Sequence, residues 1–132
     1  MSEDSPGEQV RALYKTMAER DYHAAFALLS EDFEWLEPDQ SLLGGHHQGF
    51  AEVLRAIEAQ LDVFDQFEIE PEAFFERGEH VAVSVRQRAR GEASGVEVEV
   101  QIGHLWTVRD GKIVRLEVFA ARDDARKAAL AG

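Results

Sequence analysis

At 132 residues, with 45% hydrophobic and 30% charged side chains, the chain has the size of one domain and enough apolar surface to offset the entropy of ordering it. Fourteen basic against 26 acidic residues leave a net charge of −12, which repels phosphate backbones and anionic lipid and so argues against a nucleic-acid or membrane partner. The lack of cysteine removes disulfides, thiolate metal sites and thiol nucleophiles. With no basic-then-apolar leader and no apolar run near the ~18 residues of a membrane span, a cytoplasmic location is expected.

From Glu8 to Arg20, apolar residues Val10, Leu13, Tyr14 and Met17 recur at helical spacing, predicting an amphipathic helix. Asp21 is placed to cap a second, short helix with Tyr22, Ala25, Phe26 and Leu29 on its apolar side, ended by Ser30, Glu31 and Asp32. The period then changes to two, so that Trp35 and Glu37 share one face of a strand closed by Pro38. Asp39 to Gln48, with paired glycines and paired histidines, reads as a loop. Phe50, Val53, Leu54, Ile57 and Leu61 mark a third helix, and from Gln66 onward the chain reads as strands, interrupted at Pro71 and turning at Gly78.

The last third is the most regular. Val81, Val83 and Val85 alternate with Ala82, Ser84 and Arg86, and beyond a Gly91 to Gly95 turn Val96, Val98, Val100 and Ile102 alternate with Glu97, Glu99 and Gln101, predicting a long antiparallel hairpin. Setting Arg90 opposite Glu97 and Arg88 opposite Glu99 makes its polar face a charge-paired ladder and puts Val83 opposite His104 and Val81 opposite Trp106. A tight reversal over Arg109 to Lys112 leads to a final strand with Val114, Leu116, Val118 and Ala120 on its apolar side. Residues 1–8 and 122–132 are expected to be mobile or peripheral, the latter as a polar helix or frayed end. The class is α+β, one domain over 1–132, without the strand–helix alternation of a parallel sheet.

Two ionisable residues interrupt apolar strand faces, Glu37 beside Trp35 and His104 between Ile102 and Trp106. A carboxyl among aromatic and aliphatic groups holds its proton more tightly, toward the range useful for proton transfer near neutrality. The competing reading is that Glu37 is exposed at a strand end and that His104 is a core histidine satisfied by a carbonyl. Tyr14 could turn its hydroxyl into a cavity, although an apolar helix stripe accounts for the ring by packing alone. His46 and His47 are adjacent with no third ligand at a characteristic spacing, so no metal is expected. Arg86, Arg88 and Arg90 answer the acids opposite them or a partner subunit, and no phosphate-cradling loop or nucleophile elbow is present.

Several segments carry a family resemblance: Val10–Tyr14 (VRALY) with Arg20-Asp21, Glu31–Pro38 (EDFEWLEP), the GGHHQGF stretch ending at Phe50, Glu68–Gly78 (EIEPEAFFERG) and above all His104–Arg115 (HLWTVRDGKIVR). Over nearly its whole length the chain resembles the SnoaL-like and ketosteroid isomerase-like proteins, which share the cone-shaped fold named after nuclear transport factor 2. The resemblance implies a strongly curved, mixed but mostly antiparallel sheet wrapped around three helices of the N-terminal half, with a deep apolar pocket at the open end. It implies a small hydrophobic ligand, no cofactor and a homodimer through the outer sheet face. By position Glu37, before Pro38, matches the isomerase's carboxylate base. Its acidic oxyanion-hole donor falls on Gly103 by ungapped counting and on His104 when the apolar faces are kept in phase. Trp35, Trp106, Val118 and Ala120 would line the pocket. The isomerase's helix-one tyrosine falls near Leu13, with Tyr14 about 100° around the helix, and the aspartate that many relatives carry two residues after the aromatic ending the last strand is absent beyond Phe119.

Overall fold

The computed structural model describes residues 5–38 and 45–131. The first helix, α1 (Pro6–Ala18), starts at a capping box in which the Ser5 hydroxyl accepts from Glu8 N–H while the Glu8 carboxylate accepts from Ser5 N–H, with Pro6 supplying the first helical φ. Asp21 caps α2 (Tyr22–Ala27) through the Ala24 N–H. This helix is shorter than the apolar spacing predicts. Leu29 instead opens β1 (Leu29–Glu37), and Ser30, Glu31 and Asp32 lie in that strand. The reason is tertiary: Ile113 N–H, from the last strand, donates to Leu28 O, and Leu29 pairs with Ile113.

The expected loop is corrected over its second half. Gly45–Gln48 forms an edge strand, β2, antiparallel to β1, and satisfies backbone groups that β1 would otherwise leave open; Asp39 to Gly44 lie outside the described residues. Gly49, at φ 85°, turns the chain into α3 (Phe50–Val63). The long strand β3 (Phe64–Arg77) runs through Pro71 without ending there, because it is the opposite edge of the sheet and its register shifts between Pro71 and Ala73.

Three more strands, β4 (His80–Gly91), β5 (Glu97–Arg109) and β6 (Lys112–Phe119), complete a six-stranded sheet of order β2-β1-β6-β5-β4-β3. It is mixed, β1 and β6 being parallel and every other pair antiparallel. The β4–β5 register has Arg90 opposite Glu97, Val83 opposite His104 and Val81 opposite Trp106, as the alternation predicts. The expected ladder of ion pairs is redistributed: Arg86 reaches Glu72 and Glu99, whereas Arg88 reaches Glu68 and Glu70 across the β3 side. Asp110 and Gly111, both at positive φ, make the reversal into β6. There the pairing steps from Arg115 to Ile113, so Ile113 and not Val114 takes the fully buried position.

The inner sheet face meets Val10 and Leu13 of α1, Ala25 of α2 and Val53, Ala56 and Ile57 of α3, forming the main core. The outer face carries a fourth helix, α4 (Arg122–Ala131). Residues 122–131, expected to be mobile or peripheral, bury Ala125 and Ala129 completely against Ala82 and Leu105, because small residues four apart give the helix a flat side that can approach the strands. Approach is closest at Gly103, where a Cβ would come within 2.8 Å of the Ala125 Cβ and 2.9 Å of the Arg122 carbonyl oxygen. At the other end, Ser5 and Pro6–Glu8 belong to the capped start of α1, and residues 1–4 lie outside the described residues.

Candidate active site

Helices α1 and α3 and the inner face of the sheet leave between them a cavity of about 600 Å³. Strand phase decides what enters it. On β5, Gly103 and Leu105 face α4, so Ile102, His104 and Trp106 face inward, and on β1 the same alternation turns Trp35 and Glu37 inward. Tyr14, Trp35, Glu37, His104, Trp106 and Val118 all line the cavity, as does Leu13. Ala120 does not: β6 ends at Phe119, and Ala120 is exposed beyond it.

Each of the two indoles places its N–H on a polar group at the site. Trp35 Nε1–H donates to Glu37 Oε2 at 2.7 Å, which anchors the half-buried carboxylate at the end of β1. Trp106 Nε1–H donates to Tyr14 Oη at 2.9 Å, and that hydroxyl lies 2.6 Å from His104 Nδ1. The Tyr14 and His104 rings are inclined by only 4° with centroids 5.9 Å apart, so they meet edge to edge through this bond. Tyr14 thus does more than pack, and its hydroxyl belongs to the site.

Burial sets the protonation states. His104 is 5% exposed, and desolvation lowers its pKa from 6.5 to about 3, so the ring is neutral at physiological pH. Burial likewise pushes the Tyr14 phenol well above its usual range, an effect only partly offset by the Trp106 N–H, so the hydroxyl keeps its proton. Arg20, at φ 57°, is the one basic side chain among the described lining residues. The arrangement therefore combines the Glu37 carboxylate, a neutral imidazole and a protonated phenol in a mostly apolar lining whose other polar members include Arg20, Gln60, Glu68, Glu70 and Gln87, groups that can accept, donate and hold protons.

The paired histidines point to opposite faces of β2. His46 meets Glu34 at 3.1 Å, and His47 packs on Trp35 with ring centroids 5.4 Å apart. Among the described residues no cluster of three or more His, Asp or Glu side chains is placed to hold a metal ion. The link sequence reasoning missed is that between Tyr14 and His104, 90 positions apart in the chain. The available signal was chemical: a tyrosine on an apolar stripe and a histidine on an apolar strand face both bring polar tips into a core, and each needs a partner.

The SnoaL-like domain matches residues 10–116, and the chain belongs to that family. Among solved structures, an NTF2-like protein from Burkholderia pseudomallei is 25% identical with a TM-score of 0.80, covering 92% of this chain and 95% of that one. The protein TerC, co-crystallised with polyporic acid, is 25% identical with a TM-score of 0.79 over 96% of this chain and 99% of its own. An NTF2-like protein from Burkholderia thailandensis, at 23% identity, has the same fold with a TM-score of 0.84 over 96% of this chain and 98% of its own. No functionally curated protein matches the sequence.

Proposed function

We propose that this protein binds a small apolar molecule in the cavity and acts on it by cofactor-independent acid–base chemistry of the isomerase, cyclase, dehydratase or epoxide hydrolase kind. The observation that carries the reading is the pairing, on one apolar wall, of a carboxylate seated by Trp35 and a neutral imidazole seated by Tyr14. Glu37 is the base, and His104 stabilises the oxyanion that forms when a proton leaves the carbon next to a carbonyl. A donor fixed in a dry site contributes about 3 kcal/mol to such a step. The cavity volume suits a flat or alicyclic ligand, with Trp35, Trp106 and Val118 as its walls. The co-crystallisation of TerC with polyporic acid supports a small organic ligand for the fold.

The test is a panel of hydrophobic ligands screened by thermal shift, followed by turnover assays of the hits with Glu37→Gln and His104→Ala. Glu37→Gln is expected to keep binding and lower turnover about 100-fold or more. A second reading is a noncatalytic ligand-binding or dimerisation module, in which the part of the outer face left uncovered by α4, around Arg86 and Arg88, meets a second copy. Ligand binding that survives both substitutions, with no turnover in any form, selects this second reading; a single 14.8 kDa species in sedimentation at low concentration removes the dimer. The proposed location is the cytoplasm, and among the described residues no helix is long and apolar enough to cross a membrane.

A further inference from the structure

Trp106, Tyr14 and His104 form a row of hydrogen-bonding groups that ends in the cavity, and counting protons along it selects one arrangement. An indole nitrogen can only donate, so Trp106 Nε1–H occupies one lone pair of Tyr14 Oη. The phenol still has its own proton to place and lies 2.6 Å from His104 Nδ1. Were Nδ1 the protonated nitrogen, the Tyr14 O–H would need another acceptor, and among the described residues its oxygen meets only Trp106 and His104. Leaving the proton of this part-buried hydroxyl without a protein acceptor is disfavoured by about tenfold. When the Tyr14 O–H donates to Nδ1, every group in the row is satisfied. The remaining ring nitrogen, Nε2, makes no hydrogen bond to a described residue and is not sealed off as a buried unsatisfied atom. Since His104 lines the cavity, Nε2 is the atom it offers there.

We infer that Tyr14 is a positioning residue, which holds His104 in the neutral tautomer protonated on Nε2 and so presents an N–H donor, never a lone pair, to whatever occupies the cavity. The inference rests on the reading of His104 as the donor at the proposed site. Tyr14 lines the cavity as well, but the role inferred for its hydroxyl is exerted through the imidazole, and Trp106 in turn holds the phenol by donating to its oxygen.

The test is a long-range proton–nitrogen correlation spectrum of ligand-free protein labelled with ¹⁵N-histidine, with the signals of His104 among the five histidines assigned by their loss in His104→Ala. The expected spectrum shows protonated Nε2 and unprotonated Nδ1, in a ratio that Tyr14→Phe, checked for folding by its melting curve, lowers about tenfold toward that of a free imidazole. Trp106→Phe is expected to leave the same tautomer in excess, because the phenol proton still has Nδ1 as its acceptor. Protonated Nδ1 in the native protein overturns the inference without reference to any variant. An unchanged ratio in folded Tyr14→Phe overturns the role of Tyr14. Because no ligand or turnover enters the measurement, a protein that proved inactive would sink the proposed function and still show this tautomer.

Discussion

The buried neutral imidazole makes a quantitative claim about stability in acid. In the unfolded chain His104 binds a proton below its ordinary pKa of 6.5, whereas in the folded chain it does so only below about 3. Between those values the unfolded state holds more protons, so stability rises with pH across the window and is lost as pH falls through it. Each pH unit inside the window is worth about 1.4 kcal/mol, so acidifying from about pH 7 to about pH 4.5 costs roughly 2.5 kcal/mol through this one group. That is a large fraction of the ~5–15 kcal/mol that holds a domain together. The assay is urea unfolding of the native protein and of His104→Gln at both pH values, comparing each protein with itself so that the packing cost of the substitution cancels. The native protein is expected to lose about 2.5 kcal/mol more than the variant. Equal losses would mean that the imidazole is not held neutral by burial, and the description of the site would fail with it.

Two further predictions concern the frame around the site. Gly103→Ala puts a methyl group 2.8 Å from the Ala125 Cβ and 2.9 Å from a helix carbonyl, against the ~3.5 Å or more of ordinary carbon contact, so α4 must move outward. The expected cost is about 1–3 kcal/mol in denaturant unfolding, and a melting temperature equal to that of the native protein would show that the helix does not sit where it is described. Gly111→Ala forces a Cβ into the left-handed conformation at φ 77° and is expected to destabilise the protein by about 1 kcal/mol, measurable as an earlier urea midpoint. Unlike Gly103, Gly111 has no heavy atom within 4 Å of the added Cβ, so its penalty comes from the backbone alone.

What could be read from the sequence was what local periodicity encodes. The β4–β5 register follows from two runs of alternating valines and a glycine-bounded turn, and because a one-residue slip would expose one whole set, His104 and Trp106 could be placed on the inner face from letters alone. Glu37 followed from the same alternation beside Trp35. Other features depend on partners far along the chain. The pairing of Gly45–Gln48 with β1, the passage of β3 through Pro71 and the early end of α2 are decided by the rest of the sheet. Ala120 failed as a wall residue because alternation was extended one position past the end of its strand. Tyr14 was hardest to read, since its role depends on the reach of a hydroxyl across the core to a histidine on β5.

Trp35 and Trp106 are the only tryptophans in the chain, and both stand in the cavity wall with their N–H groups committed to site residues. The tryptophan fluorescence of this protein therefore originates entirely from its candidate site. A molecule entering the cavity would change the intrinsic fluorescence of the unlabelled protein, with no indole elsewhere to add a constant background.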